Sequence, residues 1–582
     1  MVVIGIDLGT TNSLAVAYRD DQKGVEIIPN SFGEYLTPSV VSLDGDQVIV
    51  GKVAKERLVT RPDRTAQLFK PRMGQRYHFH LGEKSYTPEE LSAVVLKQLV
   101  MDAESYLGEK VDELVISVPA YFNSEQRQAT KRAGELIGLK VDRLINEPSA
   151  AAIACRNWNN QHHPKDFESF IVFDLGGGTL DVSVVDCFDN VISIVSIAGD
   201  NHLGGSDFDR AIASFAALDL GLEFDSLSLQ EQRSLLLEAE RAKIRLQDSQ
   251  ETSLYFKGTQ VILSRELVTQ ISSTLLERMQ QVLRRALMES DMDASEIDSV
   301  IMVGGSSYSP IVRDYLVNTL KLPIIQKEHL DYLVAEGLGT YIGIKERFLQ
   351  VKDLVVTDIC PFSLSTGVMN EQDPSQPLAS VLTPRNSVLP NSHTKYYITQ
   401  PNSPFVEIDV RQGEALFAED NLLLGKYTID LPKREVGFEL SVTYSYDINS
   451  LLYVEIVIPE LNQRHTLILG DDRTLIPVED REELNKLKEL SFNLSQLDAE
   501  MAVLEYAQRL YGEAPHHLKG YLEKLILDFK ARMKAHQYEM KKKRDLADKM
   551  NEILQHVEAH MNHQLSDFFQ DPGEFTLPDE ER

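Results

Sequence analysis

Residues 171–184 read IVFDLGGGTLDVSV. Apolar and aromatic residues lead into Asp174, three glycines follow, and Thr179, Asp181 and an alternating apolar tail complete the stretch. This is the pattern of a buried strand, a tight turn and a second strand, hence a β-hairpin with glycine at its tip. Glycine lets a backbone approach a ligand closely and turn its N–H groups inward, which suits phosphate oxygens. A carboxylate beside such a loop repels a polyphosphate unless a cation intervenes. Mg²⁺ characteristically binds through one or two carboxylates, water and phosphate. Taken alone, the stretch fits a surface hairpin with a flexible tip equally well.

The N-terminus repeats the design. Residues 4–16, IGIDLGTTNSLAV, run from an apolar strand through Asp7 and Gly9 to Thr10, Thr11 and Asn12, then into further apolar residues. A duplicated strand–acid–glycine hairpin predicts two similar lobes, each presenting a phosphate loop and an acid to one cleft. Neither copy is a dinucleotide fingerprint or a P-loop: GGGTLD lacks GxGxxG spacing, opens no helix, and no GxxxxGK[ST] occurs in the chain.

The totals narrow the class. At 582 residues the length prior is about four domains. The hydrophobic fraction of 43% is ample for packed cores, and no run reaches the ~18 residues of a transmembrane helix. VVIGIDLG at the start reads as a strand rather than a signal peptide. Cys155, Cys187 and Cys360 show no CxxC spacing and cannot all pair, so they read as buried or incidental thiols in a reducing cytoplasm. A net charge of −30 repels nucleic acid and anionic membrane. The one basic run, Lys541 to Arg544, falls in a charged helical stretch and reads as a solvated face. His78 and His80 could share a strand face, but no third metal ligand is evident.

Further elements follow from periodicity. Residues 88–107 have helical spacing opened by Pro88, Glu89 and Glu90. ELVISVPAYFN (113–123) is a buried strand ending at Pro119, followed by a helix opened by Ser124. INEPSAAA (145–152) starts another helix with Glu147 at its mouth, where the dipole favours a carboxylate. Residues 230–247 form an amphipathic helix in which Glu240 and Lys243 stand as an (i, i+3) pair. From about 359 to 477 strands dominate: VEIDV (406–410) and FELSVTYSY (438–446) each alternate, the pattern of an antiparallel sandwich. Residues 479–566 are helical in spacing.

The two hairpins, together with INEPSAAA, GDNHLGGSDFD (199–209) and VGGSS (303–307), resemble the DnaK-type heat-shock chaperone family. The resemblance covers about the whole chain, and its short form looks most like the HscC branch. It implies a multidomain protein: an α/β actin-like two-lobed ATPase domain over 1–351, an interdomain linker at 352–358, an antiparallel β-sandwich that binds substrate at 359–478, and an α-helical lid with a short tail at 479–582. The implied function is an ATP-dependent chaperone that binds and releases extended hydrophobic segments of unfolded proteins.

By the same resemblance, Asp7, Lys70, Glu147, Asp174, Thr179 and Asp181 form the catalytic constellation, with Asp7 and Asp174 holding Mg²⁺ largely through water. ATP or ADP is held by Gly9, Thr10, Thr11, Asn12, Gly176, Gly177, Gly178, Thr179, Gly204, Gly205, Glu240, Lys243, Gln247, Gly304, Gly305, Ser306 and Tyr308. Met369, Val406, Ile408 and Leu451 surround bound peptide. Pro119, Arg127, Arg143, Leu354, Val355 and Val356 carry the coupling, with Arg143 meeting a J-domain co-chaperone. Two departures fall at the base pocket, where Gln247 replaces a small residue and Tyr308 an arginine. With the shortened segment 248–265, they imply faster ADP release and little need for a nucleotide exchange factor. The ending PDEER lacks the EEVD motif of cytosolic eukaryotic relatives, so a bacterial cytoplasmic origin is expected; a monomer is expected as well. The rival readings are a sugar-kinase-like phosphotransferase, against which the sandwich stands, and an actin-like filament ATPase.

Overall fold

A computed structural model describes residues 2–562, apart from 20–23, 163–166, 189–190, 293, 326–328, 349–350, 352–353, 448–450, 470–474, 478–498, 515 and 536–539. The first two positions of the expected linker, all of 479–498 and the tail from 563 thus lie outside the described residues.

Both hairpins form, and each becomes the centre of a sheet. In the first sheet Val3–Asp7 pairs antiparallel with Asn12–Arg19, which pairs with Gly24–Ile28. On its other side Val3–Asp7 runs parallel to Glu113–Val118, and that strand runs parallel to Lys140–Asn146. In the second sheet Phe167–Leu175 pairs antiparallel with Leu180–Phe188, which pairs with Val191–Asp200. Its parallel neighbours are Ser299–Val303 and then Ile324–Ile325. The spatial order is the same in both sheets, so the duplication read in the sequence is a duplication of topology.

The helices of the first lobe are α1 (Lys52–Thr60), α2 (Pro88–Leu107), α3 (Ser124–Glu135) and α4 (Glu147–His162). A capping box of Thr87 with Glu90 opens α2, and Gly108 in the left-handed region closes it. As expected, α3 begins at Ser124, and its cap is the preceding Asn123. Asn123 accepts from the Gln126 N–H, while the Gln126 side chain returns to the Asn123 N–H. The second lobe carries α5 (Gly205–Asp219), α6 (Leu229–Arg245), α7 (Arg265–Ile271), α8 (Ser273–Ser290), α9 (Pro310–Leu320) and α10 (Leu333–Lys345). The short segment 248–265 is mainly a hairpin, Glu251–Phe256 with Thr259–Ser264.

The lobes meet where α4 crosses α10. Ala150, Ala151 and Ala152 are fully buried there, and Gly337 comes so close that a Cβ would lie 1.8 Å from the Ala150 carbonyl oxygen. Small residues on both sides let the two backbones touch. The edge of the second sheet then takes one more strand, Val355–Thr357, parallel to Val191–Ser193. Cys155, Cys187 and Cys360 are all buried, as expected.

Beyond that strand lie two antiparallel sheets. One has the order Leu378–Thr383, Leu364–Val368, Phe405–Gln412, Leu422–Asp430. The other runs Asn391–Ile398, Glu439–Tyr446, Leu452–Ile458, Gln463–Leu469, Leu475–Pro477. Tyr444 is fully buried between them and its hydroxyl donates to the Asp409 carbonyl at 2.9 Å. The chain then forms α11 (Ala499–Glu513), α12 (His516–Ala535) and α13 (Met540–Asn562), which share a core of Leu, Met, Phe and Val side chains. Here α11 rests on α1: Ala502 and Met501 join Val53, Ala54 and Leu58 in one apolar cluster.

The α4–α10 crossing yields a first prediction. Gly337→Ala forces a methyl into the Ala150 backbone, which cannot give way as a flexible side chain would. Stability should fall by roughly 1–3 kcal/mol or more, read as a lower denaturant midpoint of the first transition. An unchanged midpoint would show that the helices part without cost.

Candidate nucleotide site

The two hairpin tips and the start of α4 converge on a cleft of about 380 Å³ between the lobes. Asp7 and Asp174 enter it from the ends of equivalent central strands. Lys70, in the short 3₁₀ turn Lys70–Arg72, and Glu147, the first residue of α4, enter from the first lobe. Lys70 Nζ is 2.6 Å from Glu147 Oε1, and both side chains are buried. The Ser117 hydroxyl donates to Asp7 Oδ1 at 2.6 Å.

This is a cluster of acids around one ammonium group, and the titration of the acids reflects it. Burial, with the charge of Glu147 next, pushes Asp7 up to about 6. The same two causes push Asp181 up to about 7 and hold Asp174 well above the usual carboxylate range. Asp181 does not line the cleft; it lies behind it and accepts from the Tyr121 N–H at 3.1 Å. Among the described residues no group of three or more His, Cys, Asp or Glu side chains is placed to hold a metal by itself. The oxygen-only donors fit a hard cation bound by two carboxylates, water and phosphate, and the mutual repulsion of the acids is what such a cation relieves.

The glycines leave room that a Cβ would fill. One on Gly9 would lie 1.9 Å from the Asn12 carbonyl, and one on Gly177 1.8 Å from Thr11 Oγ1, so the two loops touch at their tips. Gly9, Thr10, Thr11, Asn12, Gly176, Gly177, Thr179 and Gly205 all line the cleft. Gly178 faces an adjoining cavity instead, and Gly204 lies under the loop, where a Cβ would be 2.3 Å from the Gly178 nitrogen. Gly204 and Gly205, expected to hold nucleotide, have their amides engaged within the protein. The N–H groups of Gly205 and Ser206 donate to the carbonyls of Gly176 and Gly177, and that of Gly204 to Asp207. The start of α5 therefore braces the glycine loop rather than presenting amides to a ligand.

At the other end, Glu240, Lys243, Gln247, Gly304, Gly305, Ser306 and Tyr308 line the cleft together. Glu240 and Lys243 do not pair with each other. Lys243 binds Asp209 at 2.6 Å and the Gly205 carbonyl at 2.9 Å. Glu240 reaches across to Lys55 on α1 at 3.0 Å. The Tyr308 hydroxyl accepts from the Leu330 N–H at 2.9 Å, which fixes the ring in the wall. Asp209 and Asp331 also line the cleft. Sequence reasoning missed both; Asp209 stood in the quoted GDNHLGGSDFD stretch, whereas Asp331 sits in no recognisable motif.

The remaining predicted residues fall into two groups. Buried Pro119 ends its strand, and Arg127 is fully buried, donating to the carbonyls of Ala120 and Phe122 and to Asn146 Oδ1 at 2.6 Å. Asn146 in turn donates to Asp358 at 2.7 Å. Arg143 is half-buried, its guanidinium 5.9 Å from the ring of Tyr341. Leu354 is buried and Val356 packs on the lobe core, but Val355 is 51% exposed. In the sandwich, half-buried Val406 packs against the core cluster that contains Ile408. Met369, beyond Val368, lies at the same end, its sulfur 2.9 Å from Gln400. Leu451 does not join them. It follows Tyr446 at the opposite end of the strands, where the Tyr446 hydroxyl is 3.3 Å from Ser124 of α3. Antiparallel register decides this: Glu439 is beside Ile398, and Tyr446 is a full strand length away beside Asn391.

Two duplicated α/β lobes around an acid-and-glycine cleft, followed by an antiparallel sandwich and a helical region, define a multidomain nucleotide-binding protein. The family model for the Hsp70 protein matches residues 3–574, and the chain belongs to the Hsp70 family. Members of that family are ATPases that bind ATP and ADP with Mg²⁺ and act as chaperones on unfolded clients together with co-chaperones. Among the described residues no helix is long and apolar enough to cross a membrane.

Gly204→Ala tests the bracing of the glycine loop. Displacing Gly178 should weaken nucleotide binding by roughly tenfold or more, about 1.4 kcal/mol, in a titration with a fluorescent nucleotide. Unchanged affinity would mean that the loop's position is immaterial.

Proposed function

We propose that the chain hydrolyses ATP in this cleft and uses the cycle to bind and release extended apolar segments of unfolded proteins. The observation that carries the reading is the buried Lys70–Glu147 pair at 2.6 Å, set between Asp7 and Asp174 and under two glycine loops. Mg²⁺-ATP supplies the transferable phosphoryl group and the positive charge that the acid cluster lacks. Lys70 faces the developing charge on that group, and Glu147 orients the attacking water. Thr179 and the loop backbones hold phosphate oxygens, Asp7 and Asp174 bind the metal's water shell, and Asp181 positions the hairpin behind them. Such a site works by positioning and charge stabilisation rather than by covalent chemistry.

The proposed division is an ATPase domain at 1–351, a linker at 352–358, a peptide-binding sandwich at 359–478 and a lid from 479. Support for a peptide site comes from Met369, Val406 and Ile408 at one end of the sandwich, beside exposed Ile398 and Phe405. An extended segment offers alternate side chains to such a surface. Arg143 is the proposed contact for a J-domain protein, and the HscC branch and a bacterial cytoplasm are the proposed origin and location. Neither the sugar-kinase nor the filament reading requires a sandwich tied to the cleft through a linker.

Two outcomes are expected. Lys70→Ala should reduce single-turnover hydrolysis by roughly 10²–10³-fold, the scale of losing a transition-state contact, while nucleotide affinity changes by less than about tenfold. Near-normal hydrolysis would remove Lys70 from the chemistry. For coupling, the exposed Val355 is a poor target, so the informative variant is Leu354→Asp with Val356→Asp. Each buried aliphatic is worth roughly 1.5–3 kcal/mol, so the linker strand should leave the sheet edge and ATP should no longer accelerate release of a fluorescent peptide. Persistent acceleration would place coupling elsewhere.

A further inference from the structure

Glu558 on α13 stands between arginines from two distant parts of the chain. Its Oε1 lies 2.7 Å from Arg509 Nη2 on α11 and 2.5 Å from Arg241 Nη1 on α6. Its Oε2 accepts from the Tyr506 hydroxyl at 2.7 Å. Arg509 is fully buried, pairs on its other side with Glu56 on α1, and stands 5.1 Å from the ring of Tyr506. Next to it, Arg57 of α1 donates to Glu505 at 2.9 and 2.7 Å. Burial would raise the Glu558 carboxyl, but Arg509 and Arg241 outweigh it and hold the group below the usual carboxylate range.

The path of charges therefore runs Glu56–Arg509–Glu558–Arg241, from the first lobe through two helices of the C-terminal region to the second lobe. It joins the same two helices, α1 and α6, that Lys55 and Glu240 join directly at 3.0 Å. Between α1 and α6 lies a second cavity of about 450 Å³, with Leu58 on one wall and Leu236 and Leu237 on the other. Its floor includes Thr10, Thr11 and Gly178, the tips of the phosphate loops. Separation of α1 from α6 thus opens the cleft at the phosphate end, and anything that ties them resists it.

We propose that the C-terminal helices strap the cleft shut: α13, through Glu558, holds α6 against α1 and slows the exit of bound nucleotide while α11 lies on α1. The proposal rests on the cleft being the nucleotide site. It assigns retention to a contact remote from the base, in a chain whose base pocket carries Tyr308 and Gln247 where the family resemblance implies an arginine and a small residue. Neither Glu558 nor Arg241 lines the nucleotide cavity, so altering them leaves the binding groups in place.

The test is stopped-flow release of a fluorescent, non-hydrolysable ATP analogue from the full-length chain. Glu558→Gln and Arg241→Gln should each speed release by roughly three- to tenfold, the scale expected for breaking a partly buried, hydrogen-bonded ion pair, with binding stoichiometry unchanged. Because the loss of one charge could loosen the helices generally, a second variant works in the opposite direction. Arg241→Cys with Glu558→Cys, bridged by a short bismaleimide, should release the analogue more slowly than the same variant unbridged; the native cysteines are buried. Release rates unaffected by Glu558→Gln and by the bridge would overturn the strap. Failure of the wild-type chain to bind the analogue at all would instead overturn the assignment of the cleft.

Discussion

Uncompensated negative charge, buried where two hairpins meet, is the constraint around which the lobes are built. Asp7, Asp174, Asp181 and Glu147 converge there, and among the described residues Lys70 alone pairs with one of them. Burial and mutual repulsion disfavour their ionised forms, so Asp7, Asp174 and Asp181 all titrate above the usual carboxylate range. A cation carrying phosphate is the kind of partner that would turn this repulsion into affinity. The glycines are the other half of the same requirement, since phosphate oxygens need backbone N–H groups at close range and side chains would fill the space.

Duplication also explains an asymmetry between the lobes. Both sheets end in an antiparallel edge strand, Gly24–Ile28 in the first and Val191–Asp200 in the second. The first edge carries Glu26, engaged by Arg19 and by the Tyr106 hydroxyl, and among the described residues no strand pairs with its outer side. Charged side chains are a common means of blunting an edge. The second edge stays open to pairing, and Val355–Thr357 takes it. A segment that docks by strand addition gains main-chain hydrogen bonds whatever its sequence, and its apolar side chains set how firmly it stays.

Local pattern made the hairpins, α2, the start of α4 and most of α6 legible in the sequence, because each is fixed by residues close in the chain. The sites that escaped it depend on long-range approach. Nothing near Glu240 announces Lys55 as its partner, 185 residues away, and an (i, i+3) pair with Lys243 was the natural local reading. Gly204 and Gly205 read as nucleotide contacts, and helix starts usually do have free donors. Only the fold shows Gly176 and Gly177 taking those of Gly205 and Ser206. Leu451 was misplaced by a strand length, an error that register alone could expose. Tyr308 lines the cleft, but its tether to Leu330 could not be read from composition.

The first turn of α4 brings the two ends of the proposed cycle within a few residues. Glu147 faces the cleft and pairs with Lys70, while its neighbours Asn146 and Ser149 donate to Asp358 at 2.7 and 3.0 Å, directly after the linker strand. Successive helical residues turn by about 100°, so positions 147 and 149 point to different sides of one rigid turn. Arg127 grips the same Asn146 from α3, the helix on which the Tyr446 end of the sandwich rests. A displacement of Glu147 in response to phosphate would therefore be felt at Asp358 without any intervening flexible segment. Adjacency alone does not make a switch, because coupling needs an element with two arrangements. In the structure Val355–Thr357 is paired to Val191–Ser193, with Leu354 buried and Val356 on the lobe core; under the proposed function it is the element whose release would supply the second arrangement. Under that proposal, hydrolysis in the cleft would need only to shift the balance between paired and released strand.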